Sequence, residues 1–416
     1  MYAYGLEANP YPSSPTPTEK DAKILGGRRH KEAKSAILEC IKELHGKVDC
    51  RDATAGDFRV ITVIQDVGSG KTHLALHIKN LQGRHGIACS FVDLSTISPK
   101  TISSIYNAIL KGFENEFFVQ LRTKFLQDLQ ERAEQGDKAA KKAIDYTLVN
   151  KLAGITIKDK VDDIVLGKNQ VSVENLNTYL NQRLNQFEST LIRNVITNSF
   201  SGISSLEELI GMMSSISKLT QRFLGKLVLF EMDELDGNIE STEFVKGIIN
   251  AHIPASILML ISTPSGYIEV QNTNPSVFDR LEKANYKIDL VGSNSKEELS
   301  EIAIEYIKHN DKAGKFGLKE QEELSGKIQV LCDEFPEFRN VRSLINILYH
   351  TMEKSEELEL EKIDEDAIYD AIRHSYPGLK VRESLSILER KWLKSDNERI
   401  QIPARTLKTL PDNLSI

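Results

Sequence analysis

Apolar residues follow two different periods along this chain. Continuous apolar runs at 60–64 (VITVI), 87–94 (IACSFVDL), 227–230 (LVLF) and 257–261 (ILMLI), with a further run at 286–291 (YKIDLV), predict five strands. Unbroken runs suit strands buried on both faces, as in a parallel sheet covered by helices. Elsewhere the spacing is helical. Ala33, Ile37, Cys40 and Ile41 predict a first helix over about 28–44, and another follows the second strand at about 101–110, which gives a βαβ rhythm. From about 114 to 224 the pattern is helical with no strong strand, so an insertion is expected between the second and third strands. From 293 the chain turns wholly helical. Ser295 with Glu298 reads as a capping box opening a helix through Ile302 and Tyr306, and further helices fit 321–332, 341–354 and 364–374. After Pro377, Val381, Leu385, Leu388 and Trp392 share one helical face. At the other end Pro10, Pro12, Pro15 and Pro17 predict an extended segment that drapes over a neighbouring surface. No internal repeat is visible.

Composition changes this picture little. At 416 residues, with 40% hydrophobic and 27% charged positions, the chain can bury a large core in more than one domain. A net charge of −7 gives no general signal for nucleic acid, so any DNA contact must be argued locally. Cys40, Cys50, Cys89 and Cys332 show no C-x-x-C pairing, and zinc is not expected. No apolar run approaches the ~20 residues of a membrane span, and the first residues lack the layout of a secretion signal. A cytoplasmic protein without a membrane partner is the expectation.

The chemistry begins where the first strand ends. VITVIQDVGSGKTHLALHI reads as a strand, a Gly-rich turn and a helix, with Gly68, Gly70, Lys71 and Thr72 at the joint. Such a turn lets successive backbone N–H groups curl around phosphate oxygens while the helix N-terminus faces the anion. The pattern G-x-x-x-x-G-K-[ST] is met except at its first glycine, where Gln65 stands. The loop residues Gln65, Asp66, Val67, Gly68, Ser69, Gly70, Lys71, Thr72 and His73 are therefore the candidate contacts to ATP. Lys71 is expected on the β- and γ-phosphates and Thr72 on Mg²⁺. The run LVLFEMDELD carries acids at the C-terminal end of a buried strand, where an α/β sheet places ligand-binding groups. Asp233 is expected to hold the Mg²⁺ hydration shell, and Glu234 to orient and deprotonate a water. Glu231, inside the same strand, should either emerge at a sheet edge or pair.

Taken together, these residues resemble the AAA+ ATPases, in the initiator and clamp-loader branch that includes the archaeal origin-recognition proteins. GGRRHKEA at 26–33 is similar to the Gly-Arg box that lines the adenine pocket, which makes Arg28 a candidate nucleotide contact. The resemblance implies that the third and fourth strands are the Walker B and sensor 1 strands, with Thr263, or else Ser262, sensing the γ-phosphate. PSVFDRLEK is similar to the segment bearing an arginine finger and implies Arg280 in that role, supplied in trans to a neighbouring subunit. EFRNVRSLINIL is similar to the sensor 2 helix, with Arg339 in place of its usual Gly and Arg342 as the sensor arginine. Gln65 and the long insertion depart from the family pattern. The residues after Pro377 are too few for the winged-helix DNA-binding domain of origin-recognition proteins, since domains run to about 50 residues or more. DNA binding is therefore not carried over.

The expected fold is α/β: a five-stranded parallel P-loop sheet with flanking helices, an all-helical lid and a helical insertion. Its parts are an extended segment at 1–25, the α/β domain at 26–292 with its insertion at about 114–224, the lid at 293–376 and a tail at 377–416. The expected function is an ATP-binding and ATP-hydrolysing, self-associating switch or loader acting on DNA or a protein partner. The alternative is a nucleotide-locked regulatory or scaffold ATPase, as in transposition or defence systems, with little turnover.

Overall fold

A computed structural model describes residues 1–14, 18–48, 57–166, 168, 171–200, 202–292 and 294–379. The stripe Val381, Leu385, Leu388 and Trp392, together with Cys50, Pro15 and Pro17, lies outside them. The described chain divides into two compact units: an α/β unit of residues 29–67 and 71–292, and a helical unit of residues 1–28, 68–70 and 293 onward.

The α/β unit is built on one parallel sheet. Its strands are β1 (Phe58–Gln65), β2 (Ile87–Asp93), β3 (Leu227–Asp233), β4 (Ser256–Ser262) and β5 (Tyr286–Leu290), in the order β2-β3-β4-β1-β5. Every residue of β3 and β4 is buried, which is why those strands read as unbroken apolar runs. β5 pairs only with β1 at one edge, and its burial alternates along YKIDL. The register sets Ile64 of β1 opposite Ser262 of β4 and Asp93 of β2 opposite Asp233 of β3. The C-terminal ends of the central strands thus finish level, at the edge where an open α/β sheet binds ligands.

Helix α1 (Arg28–Val48) buries His30, Ala33, Ile37, Cys40, Ile41, Leu44 and Val48 along one stripe. Helix α2 (Lys71–Asn80) follows the Gly-rich turn, and Ile102–Gly112 packs against β2. The expected insertion runs from the helix Asn115–Glu134 to the helix Leu206–Leu224, and all of its elements among the described residues are helices. It does not form a core of its own. Leu121, Phe125, Leu126, Leu191, Met213 and Leu219 share one apolar cluster with Val92, Phe230 and Leu258 of the sheet.

The helical unit contains the helices Lys296–Asn310, Leu318–Glu334, Val341–Glu357 and Glu365–Ser375. The N-terminal segment belongs to its core. Ala3, Tyr4, Leu6 and Tyr11 are buried among Leu299, Ile307 and Phe316. The Tyr11 hydroxyl donates to the Ala303 carbonyl at 3.2 Å, and the Asn9 amide donates to the Tyr349 carbonyl at 3.0 Å. The surface on which the proline-rich start lies is therefore the helical unit. Among the described residues, no helix is long and apolar enough to cross a membrane.

Candidate phosphate-binding site

Strand β1 stops at Gln65 and α2 starts at Lys71, so the turn between them must reverse the chain tightly. Gly68 (φ +76°) and Gly70 (φ +107°) take left-handed backbone that a side chain would strain, which explains both glycines. Lys71 is the first residue of α2 and is only 5% exposed, and its Nζ lies 3.2 Å from Glu234 Oε1. The Thr72 hydroxyl donates to Asp233 Oδ2 at 2.6 Å. Residues from the ends of β1 and β3, distant in sequence, thus meet at one point.

Asp233 is fully buried, and its Oδ1 accepts the Glu234 N–H at 2.9 Å. Burial pushes its carboxyl up to about 6; the Glu234 carboxylate adds to the rise, and the Thr72 hydrogen bond and the Lys71 ammonium oppose it. Glu234 adopts a left-handed backbone (φ +56°), a conformation that costs a non-glycine residue of order 1 kcal/mol and tends to collect at functional sites. Asp236 is held elsewhere, with its carboxylate 2.8 Å from Lys100 Nζ.

Glu231 is not at a sheet edge, and among the described residues it forms no ion pair. It sits in central β3 with no exposed surface, and burial pushes its carboxyl up to about 8. The Cys89 thiol beside it, the Lys79 charge and Asp233 modify that shift. That shift favours the protonated form, and a neutral carboxyl removes the need for an ionic partner.

The fourth strand separates the two candidates for its terminal position. The Ser262 hydroxyl is buried and donates to the Leu235 carbonyl at 2.6 Å, tying the end of β4 to the residue after Glu234. Thr263 caps the helix Pro264–Thr273, accepting the Gly266 N–H at 3.0 Å. Arg280, on the helix Pro275–Glu282, donates to Asn250. Its neighbours Asp279 and Glu282 pair instead with Lys283 and Lys287. Arg342 is the second residue of the helix Val341–Glu357 in the helical unit, where its backbone N–H donates to the Gly68 carbonyl at 3.2 Å. Arg28, the first residue of α1, and Val67 are exposed, whereas Asp66 and His73 are half-buried and Ser69 is buried. The structure brings together Lys71, Thr72, Asp233 and Glu234. Arg280 makes no hydrogen bond or ion pair with that group among the described residues.

Two contacts were not foreseen from the sequence. Gln65 is 1% exposed, and its side-chain nitrogen lies 2.8 Å from Nε2 of His30, itself 4% exposed. The Asp66 carboxylate accepts the Gly292 N–H at 2.7 Å.

The residues fit a phosphate with a divalent cation. The left-handed glycines clear the backbone for an anion, and the Thr72 hydroxyl and Asp233 carboxylate are the hard oxygen donors that Mg²⁺ prefers. A parallel sheet whose first strand feeds a Gly-rich turn into a helix, with acids at the end of β3, one strand removed from β1, is a P-loop-like α/β fold. No family model matches the chain. No curated protein matches it either. It is similar to two solved structures of the ORC2 protein of Aeropyrum pernix. The ADP form is 12% identical with a TM-score of 0.46, and 84% of this chain and 70% of that one are covered. The ADPNP–ADP complexes are 12% identical with a TM-score of 0.48, covering 86% and 72%.

Proposed function

We propose that this protein binds ATP with Mg²⁺ and hydrolyses it as an AAA+-type ATPase. The observation that carries the reading is the convergence of Lys71 and Thr72 with Asp233 and Glu234, the first pair on the turn after β1 and the second at the end of β3. Lys71 would neutralise the β- and γ-phosphates, and backbone N–H groups of residues 68–72 would cradle them. Thr72 and Asp233 would hold Mg²⁺, which when bound neutralises charge on the phosphate oxygens. Glu234 would orient the attacking water and accept its proton. Ser262 keeps the Glu234–Leu235 segment in place through its bond to the Leu235 carbonyl.

Self-association is part of the proposal. Arg280 would act in trans as the arginine finger, with Thr263 and Arg342 as sensors. The partner on which the ATPase acts is DNA or a protein.

One observation favours the alternative of a nucleotide-locked switch. Lys71 and Glu234 are paired with each other, so the base is tethered by the cation that must serve the phosphates. Turnover in the isolated protein would then be slow until a partner or neighbouring subunit releases Glu234.

The test separates binding from chemistry. Lys71→Ala should abolish tight ATP binding, because it withdraws the cation the loop supplies. Glu234→Gln should keep ATP binding and lower phosphate release by about a hundredfold or more, since an amide cannot accept the proton. Hydrolysis by Glu234→Gln at the wild-type rate would remove Glu234 as the base.

A further inference from the structure

Gln65 occupies the position at which phosphate loops of this pattern carry a glycine, and the structure shows how the larger residue is accommodated. The backbone there is not left-handed, since Gln65 is the last residue of β1 and pairs with Leu290 of β5. Nothing in the strand demands a glycine. The side chain must then be placed, and it is buried with its amide nitrogen 2.8 Å from His30 Nε2. An amide nitrogen only donates, so Nε2 of His30 is the acceptor in this contact. Burying two polar side chains is unfavourable unless they bond each other, so the contact is a specific one rather than incidental packing.

The same corner is fixed by two further contacts. Arg29, next to His30 at the start of α1, donates to the Val291 and Gly292 carbonyls at 3.0 and 3.4 Å. Asp66, next to Gln65, accepts the Gly292 N–H at 2.7 Å. The first two residues of the loop are thus tied by side chains to the beginning of α1 and the end of β5. The freedom of the turn is left to Gly68 and Gly70.

We propose that His30 is a positioning residue for the phosphate loop, acting through Gln65 to fix where the loop leaves β1. The pair does by hydrogen bonding what the usual glycine does by lacking a side chain: it keeps residue 65 out of the phosphate cradle. This inference rests on the nucleotide-binding reading above. It makes affinity for the phosphate chain depend on an acceptor at position 30, a residue that touches no phosphate.

The test is ADP titration by calorimetry, in Mg²⁺, with the full chain and point variants. His30→Leu keeps apolar bulk and removes the acceptor, and it should weaken ADP binding by about tenfold, the effect of losing one buried hydrogen bond. His30→Gln, whose carbonyl oxygen can accept from the Gln65 amide, should bind within about threefold of wild type. Gln65→Leu should weaken binding as His30→Leu does, and the double variant should be no weaker than either single one, because the pair acts as a unit. Each variant is first checked for cooperative melting. Should His30→Leu fail to fold, Gln65→Asn replaces it, because the shorter amide cannot reach His30. Equal affinities for His30→Leu and His30→Gln, or losses that add in the double variant, would overturn the proposal. Lys71→Ala isolates the underlying reading. If it loses ADP while His30→Leu and Gln65→Leu bind as wild type does, only the role of His30 fails. If wild type and Lys71→Ala behave alike, the nucleotide reading fails and takes this inference with it.

Discussion

At the scale of single residues, the acids of β3 show how one strand holds carboxyls in different states. Glu231 and Asp233 point the same way from the strand, two residues apart, and both are buried. Burial pushes the Asp233 carboxyl up to about 6, against the opposing hydrogen bond from the Thr72 hydroxyl. Burial pushes Glu231 further, to about 8, with the Cys89 thiol opposing the rise. Between the ordinary value of 4.5 and about 8, the folded chain holds a proton at Glu231 that the unfolded chain has released. Stability therefore falls as pH rises through that window, and below it the group has no effect. Glu231→Gln keeps the shape and removes the titration. In denaturant unfolding without nucleotide or metal, it should match wild type near the bottom of the window. Near the top it should be more stable by up to a few kcal/mol, at about 1.4 kcal/mol per pKa unit. Equal stability at both ends would mean that Glu231 ionises as freely as an exposed acid. Sequence alone marked Glu231 as anomalous, because an acid inside an apolar run is visible. It did not show that protonation would resolve the anomaly, because that depends on what β2 and α2 place beside it.

At the scale of elements, the five strands were legible because two-sided burial leaves unbroken apolar runs, and the tight turn between β1 and α2 was legible because Gly68 and Gly70 stand there. Strand order was not legible, since the run ILMLI carries no sign that β4 separates β1 from β3. The Gln65–His30 contact was hidden for a similar reason: the residues lie 35 positions apart, and only the packing of α1 beside the end of β1 joins them. The insertion was read as helical, but helical spacing shows which face is apolar and not what covers it. Its helix Leu206–Leu224 packs on β3 and buries Leu219, which is 1% exposed. Leu219→Ala should therefore destabilise the whole α/β unit by about 2–5 kcal/mol. Hydrogen exchange can check this, because β3 amides should lose protection together with those of the helix. If β3 kept its protection while the helix exchanged faster, the insertion would be a separate cooperative unit.

At the scale of the whole molecule, the reading as a self-associating ATPase turns on Arg280. A finger serving its own pocket would be expected to bond there, yet Arg280 donates to Asn250 and leaves its acidic neighbours to Lys283 and Lys287. A guanidinium held by a neutral amide can exchange that partner for a phosphate at little expense, since bonds to a phosphate are the stronger. A finger reaching a neighbouring subunit also predicts that ATP binding and assembly favour each other, because linkage is reciprocal. ATP should thus raise the sedimentation coefficient of wild type and of Glu234→Gln, and do so less for Arg280→Ala. Mixing supplies the sharper measurement. Arg280→Ala subunits retain an intact pocket and Glu234→Gln subunits an intact finger, so each should be slow alone while mixed assemblies recover part of the wild-type phosphate release. The recovery should peak near equal proportions, where mixed contacts are most numerous. If verified mixed assemblies recover nothing at any ratio, Arg280 is a surface arginine bonded to Asn250, and the pocket must be completed by another cation or work without one.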